Sequence, residues 1–447
     1  MEESKKQRNL SRRQFLQATG GASLVALLAA CGSSSAPTAG SSEGAAPAAQ
    51  GAQEINFLVR PDIRSAYAAD AAVEAWNAEM EQKVIIDEPA GAADTKIQSA
   101  IAAGDLIWDG FAVIEGPWAI ASWVSRGLIQ PLDDLIAVSS IEDAEAVVSG
   151  IIPSVLESSK YEGKQYTIPG NVGSVALGWF WEPLEKAGIE PPTTWDEVRA
   201  AAEAIKETSP ELTPYDVAAS PLCDMIAMIW GATETPVTDD GLVDWTSDVS
   251  IAALEWLQGM VADGLMPGVH TDSFSNWLKG GTAILSSYDV HGTLAQQTFG
   301  IDAATTGVNI TREKGDHKAG APFWLNGSVV LQGAANAQGM MDFLLWWFGP
   351  SNKATGQQIA TVAAKPAYQY TYDEFIANDE SQTWQLEGIE LVRNSVPFPS
   401  NLYWSVQTTV VGPWIERALD ASNNLSAEEA LVSALEEVNA EIDKMRS

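Results

Sequence analysis

"EINFLVRPDIRSAYAADAAVEAWNAEMEQKVIIDEPAGAADTKIQSAIAAGDLIWDGFAVI" (residues 54–114) decides the fold. Within it, "EINFLV" (54–59), "KVIIDEP" (83–89) and "DGFAVI" (109–114) are short apolar runs rich in β-branched residues, and each predicts a strand. Between the first two lies "RPDIRSAYAADAAVEAWNAEM" (60–80), an Ala-rich amphipathic helix with Tyr67, Val73 and Trp76 as its inward positions. Between the second and third, "DTKIQSAIAAG" (94–104) predicts a helix stopped by Gly104. Strand and helix alternating in this way predict a doubly wound parallel sheet. Ligands of such sheets sit outside the carboxyl ends of the strands, so Arg60, Asp62, Glu115 and Trp118 are candidate contacts.

Outward from this stretch, the chain of 447 residues is long enough for two lobes. "PPTTWDEVRAAAEAIKE" (191–207) announces a helix with Thr194 and Glu197 at capping-box spacing, and Ser426 and Glu429 repeat that spacing before the last helix. "VSIAALEWLQGMVADG" (249–264) is a further amphipathic helix with a Gly stop. "NAQGMMDFLLWWFG" (336–349) is apolar nearly all round, which predicts a buried helix, far too short to span a bilayer.

The N-terminus is of another kind. "SRRQFLQATGGASLVALLAAC" (11–31) has a charged start, a short apolar run and small residues before a cysteine, the pattern of a secretory signal. Arg12 and Arg13 with Phe15 and Leu16 resemble a twin-arginine signal, with Gln17 where lysine is common. "LAAC" (28–31) resembles a bacterial lipobox, which implies a lipid on Cys31. Residues 32–53 are nearly all Gly, Ser, Ala, Pro, Thr and Gln and bury too little apolar area to fold. As a flexible tether they would reach roughly 25 Å.

Residues 1–30 carry five basic and two acidic groups; taken from 25 and 59, they leave 20 basic and 57 acidic groups, a net charge of −37. Such a field repels nucleic acid and anionic lipid headgroups. Cys223 has no second cysteine in the body to pair with, and the three histidines, His270, His291 and His317, lack metal-ligand spacing, so no metal or cofactor is expected. G-x-S-x-G, P-loop, H-E-x-x-H and Gly-rich dinucleotide motifs are all missing from the sequence, which argues against an enzyme of those classes. A glycosidase carboxylate pair stays open among so many acids.

The order of several segments carries a resemblance: "AIAAGDLIWDGFAV" (100–113), "SRGLIQPLDDL" (125–135), "YEGKQYTIPGN" (161–171), "LGWFWEPLEKAGIEPPTTWDEV" (177–198), "NWLKGGTAILSSYD" (276–289), "APFWLNGSVVL" (321–331) and "VPFPSNLYWSVQTTV" (396–410). Over residues 54–445 the chain resembles the bacterial extracellular solute-binding proteins of ABC importers, in the carbohydrate and maltodextrin branch. The resemblance implies an α/β fold of the two-lobed, type II periplasmic-binding-protein class, each lobe a mixed, largely parallel sheet flanked by helices. It implies chain crossings near 169–175, 306–310 and 349–355, hence one lobe of residues 54–170 and 310–352 and another of 171–309 and 353–447. It also implies a monomer, delivering a small ligand to importer permease subunits.

Seventeen tryptophans fit a carbohydrate ligand, since a sugar needs flat apolar surfaces plus a few polar groups aimed at its hydroxyls. Most of these rings are core. By resemblance, Tyr403 and Trp404 stand where relatives keep a stacking platform, and Trp404 leads the candidates. Tyr288 and Asp289 follow a strand, and Trp324, Asn326 and Asn171 lie near the crossings. Trp230 joins Trp118, Glu115, Asp62 and Arg60 in a second group. Trp179-Phe180-Trp181-Glu182 replaces a polar stretch common in the family, and Gly173 falls where some relatives carry a sugar-binding glutamate, which argues against assigning maltose. A polyamine or other small cation is the alternative ligand.

Overall fold

β1 (Ile55–Val59), β2 (Val84–Asp87) and β3 (Gly110–Glu115) form on the three apolar runs and pair parallel, in the order β2–β1–β3. The structure is a computed structural model that describes residues 54–89, 92–142, 144–218, 220–268, 272–288, 306–309, 322–361, 365–380, 384–394, 396–398 and 400–446. The leader, Cys31, the tether and Asp289 lie outside the described residues.

The first connection is two helices, Pro61–Ala66 and Ala69–Glu79, where a single one was expected. Ala68 takes left-handed backbone between them (φ 50°), and the break turns both Tyr67 and Trp76 into the core while Val73 is half-buried. The second connection, Ala93–Ala103, ends at Gly104 (φ 73°), a conformation that glycine adopts without steric cost.

The remaining strands are β4 (Lys160–Tyr161), β5 (Lys164–Gln165), β6 (Ile168–Phe180), β7 (Thr213–Val217), β8 (Thr282–Tyr288), β9 (Thr306–Asn309), β10 (Phe323–Val330) and β11 (Lys365–Pro366). β4 and β5 form a hairpin of their own; the others join one mixed sheet in the order β2–β1–β3–β10–β6–β8–β7, with β9 and β11 also on β6. β6 holds it together. Residues 168–174 of β6 pair antiparallel with β10, and residues 175–179 pair antiparallel with β8.

Two large hydrophobic cores divide along that strand, with a small cluster around Trp277 and Leu285 beside them. Ile168 and Val172 belong to the first core, and Leu177 and Trp179 to the second. From sequence, residues 353–447 were assigned together to the second lobe. Their buried side chains instead divide between the cores, with Ile359, Tyr368, Tyr372 and Val392 in the first and Phe398, Val411 and Ile415 in the second.

Two helices form as their local sequence predicts. Ala337–Phe348 is buried from Gly339 onward, as its all-round apolar pattern predicts, and Asn336 caps it by accepting from the Gly339 N–H. Its one acid, Asp342, is satisfied by Ser139, Ser140 and Gln338. Each large apolar side chain so buried contributes about 1.5–3 kcal/mol. Helix Trp195–Thr208 begins with the expected capping box: Thr194 accepts from the Glu197 N–H and Glu197 reaches back to Thr194.

Candidate binding cleft

Where the two cores meet, the register of the sheet lines up polar side chains. Asn326 of β10 stands opposite Glu115 of β3 on one side and Asn171 of β6 on the other. Residues directly opposite share a face of the sheet, so Glu115, Asn326 and Asn171 form a row across three strands. Trp324, two residues before Asn326, shares that face, whereas Phe323 and Leu325 point into the first core.

Arg60 closes the row at the carboxyl end of β1. Its guanidinium is bound to Asp62 (Nη2–Oδ2 2.6 Å) and to Glu115. Burial opposes the Arg60 charge, but the hydrogen bonds it donates to the two carboxylates, with their negative charge, outweigh it and raise its pKa further. Asp62 accepts from Arg60 through both its oxygens, yet Asp62 and Glu115 each keep more than half their side-chain surface exposed. Asn171 is buried and its Oδ1 accepts from the Tyr67 hydroxyl. Burial pushes the Tyr67 pKa up, so the hydroxyl stays a neutral donor. Asn326 Oδ1 is buried with no hydrogen-bond partner among the described residues.

Beside the row stands a cluster of rings. Trp118, from the helix Gly116–Ser125 that follows β3, stacks on Trp404 (centroids 5.3 Å apart, planes 23°) and meets Phe398 edge-on (5.6 Å, 79°). Phe398 lies 4.5 Å from Trp404 and 5.1 Å from Trp230, whose indole N–H donates to the Val396 carbonyl (2.6 Å). The neighbours of Trp118 in its helix, Ile120 and Trp123, belong to the first core, while Trp118 itself packs on the second. The stack therefore joins the two cores.

Most of the candidates read from sequence thus gather at one seam: Arg60, Asp62, Glu115, Asn171, Trp324 and Asn326 in the polar row, Trp118, Trp230 and Trp404 in the ring cluster. Trp404 keeps 6 % of its surface exposed, under Trp118 and Phe398. Tyr403 turns elsewhere: Arg446 Nε donates to its hydroxyl (3.1 Å) and the guanidinium sits over the ring (5.1 Å). Tyr288 ends β8, opposite Val175 of β6. Tyr67 and Phe398 were not singled out as site residues. The pairing of Tyr67 with Asn171 spans 104 positions, and only the inward spacing of Tyr67 hinted at it.

Chemically, the seam offers carboxylate and amide acceptors, a guanidinium and aromatic surfaces, the set that holds a hydroxyl-rich ligand. Among the described residues no three His, Cys, Asp or Glu side chains are grouped to hold a metal ion.

A family model described as "Bacterial extracellular solute-binding protein" matches residues 71–381. The chain belongs to that family. Among relatives of this solute-binding protein, a "Probable sugar-binding periplasmic protein" of Rhizobium meliloti (strain 1021) is 30% identical over 139 residues, 30% of each chain. The match therefore spans less than a third of that relative's length. Among solved structures, the sugar-binding protein MalE of Xanthomonas citri superposes with a TM-score of 0.74 at 16% identity, covering 88% of this chain and 98% of that one. The cyclic alpha-maltosyl-1,6-maltose binding protein of Arthrobacter globiformis gives 0.71 at 18%, covering 87% and 98%. At such identities the likeness concerns the fold, and it places this solute-binding protein among mixed α/β, two-lobed binding proteins. The family is extracellular, and its members are binding proteins.

Proposed function

We propose that this solute-binding protein captures a sugar or oligosaccharide between its two lobes and hands it to the permease subunits of an ABC importer. Each hydrophobic core would be the centre of one lobe, with β6 as the main crossing. The observation that carries the reading is the seam, where a row of hydrogen-bonding side chains runs beside rings of the second core, one of which, Trp118, comes from a helix anchored in the first. A pyranose has an equator of hydroxyls for the row and C–H faces for the rings. Family membership and the named sugar ligands of the structural neighbours support the same class.

Closure follows from the same geometry. A ligand touching both sides of the seam binds the closed form better than the open one and so shifts the balance towards it. An importer that recognises the closed shape then receives only loaded protein. Export by the leader, with a lipid on Cys31 and residues 32–53 as a tether, would hold a monomer near that importer at the outer face of the membrane. One acyl chain adds about 0.8 kcal/mol per buried CH₂.

A polyamine would need uncompensated acids. Here Arg60 already engages both Asp62 and Glu115, which favours the neutral sugar. The test is a thermal-shift screen of the full chain against monosaccharides, maltodextrins, spermidine and short peptides. A ligand at ~100 times its dissociation constant should stabilise the fold by about 2.7 kcal/mol. A shift with spermidine and none with any saccharide would overturn the reading.

A further inference from the structure

The polar row and the ring cluster leave open which aromatic surface meets the ligand, and the register of β6 against β10 bears on that choice. Trp324 stands opposite Gly173 in the antiparallel pair. A Cβ on Gly173 would lie 2.5 Å from Trp324 Cε2 and 2.6 Å from its Nε1, closer than real Cβ atoms approach other atoms. The indole therefore lies down on the β6 backbone, in the space a side chain at 173 would fill. Gly173 has no positive φ to account for it, so no backbone conformation demands glycine here. The demand comes from the ring.

Trp324 seated in this way is half-buried, on the same face as Asn326, Asn171 and Glu115, and it also packs against the second core. The neighbouring acceptor, Asn326 Oδ1, has no partner among the described residues and suits a hydroxyl donor. Trp404 keeps only 6 % of its surface exposed, beneath Trp118 and Phe398.

We infer that Gly173 is a positioning residue: its missing side chain seats the Trp324 indole flat against the crossing strand, and that ring is the surface on which a saccharide ring stacks. The inference rests on the sugar-binding reading above and adds the platform and the residue that sets it. Asn326 takes a hydroxyl of the stacked sugar, and the Trp118–Trp404 pair forms a wall of the cleft.

The experiment is titration calorimetry of the full chain and its variants against glucose, maltose, maltotriose, cellobiose, trehalose and raffinose, with a thermal melt of each variant. Trp324→Ala should weaken the best-bound sugar about thirtyfold, the loss of a hot-spot aromatic, and more than Trp404→Ala does. Gly173→Ala should weaken it comparably, yet add nothing in the Trp324→Ala background, because its effect runs through the ring. Trp324→Phe should fall between wild type and Trp324→Ala. If Gly173→Ala does not fold, the ranking of Trp324→Ala against Trp404→Ala decides. Sugar binding that survives Trp324→Ala, or a Gly173→Ala loss that persists fully without Trp324, overturns the inference and leaves the sugar reading standing. Absence of binding by wild type to any sugar overturns both, and is distinguished by that wild-type control.

Discussion

Two of the aromatic clusters among the described residues differ in what lies on either side of them. In the first, Phe57, Trp76, Phe343, Trp346 and Trp347 meet at 5.4–6.3 Å, all within one core. In the second, Trp118 reaches from a helix anchored in the first core to Trp404 and Phe398 of the other. The chemistry is the same; the mechanical situation is not. Rings enclosed in one core can only stabilise it, whereas rings that meet across a seam must part whenever the seam opens. Tryptophan count alone is therefore a poor guide to a sugar site, and the boundary a contact crosses is a better one.

Substitutions can break that comparison, beginning with the largest effect. Trp347→Ala removes a fully buried ring and should cost about 3–5 kcal/mol of stability, read in a denaturant melt. A loss as small as that of an exposed residue would mean the first cluster is not a core. Next comes the seam seen from its buried side. Lys365 is fully buried on β11 and donates to Ser174 Oγ (3.0 Å) on β6. Burial pushes its pKa down from 10.5 to about 7. Between those values the unfolded chain holds a proton that the folded chain has released, so stability rises with pH across that window. The penalty is complete below about pH 7 and gone above the unfolded pKa. Lys365→Met should abolish this gain, on the order of 3 kcal/mol, when melts at pH 7 and pH 10 are compared. An unchanged pH slope would show that the amine is not responsible.

Smaller still is the effect of the cross-seam stack. Trp118→Ala should lower stability by about 1 kcal/mol, the scale of one aromatic pair, while small-angle scattering of the unliganded protein shifts to a larger radius. A stability loss as large as that of Trp347→Ala, with no change in shape, would erase the distinction between the clusters. As a reference outside both, Thr194→Ala should cost about 1 kcal/mol through its helix cap, with shape and ligand binding unmoved.

Much of the fold was legible because it is written locally. The alternation over 54–114, the Gly104 stop, the Thr194–Glu197 cap and the buried helix at 336–349 are all set by neighbours within a few positions. The helix break at Ala68 was not legible, since nothing in an Ala-rich run announces left-handed backbone. The candidate site was legible in its parts and obscure in its arrangement. The carboxyl ends of β1 and β3 pointed to Arg60, Asp62, Glu115 and Trp118, and these do come together with Asn171 and Asn326. That Arg446 would draw Tyr403 aside depends on a helix ending 43 residues later. That Gly173 would lie beneath Trp324 depends on a strand register, which no single-chain pattern specifies.

β6 has one more consequence, for the order of events during synthesis. The first core needs Phe323–Val392 to close over Ile168 and Val172, and the second needs Phe398–Ile442 to close over Leu177 and Trp179. The first is finished only after Val392 has been made, and the second only after Ile442. At roughly 5–20 residues per second, the strand waits about eight to thirty seconds for its β10 partner. Completion of either core is therefore late relative to the synthesis of β6. An export route that moves only folded protein would have to wait for both cores.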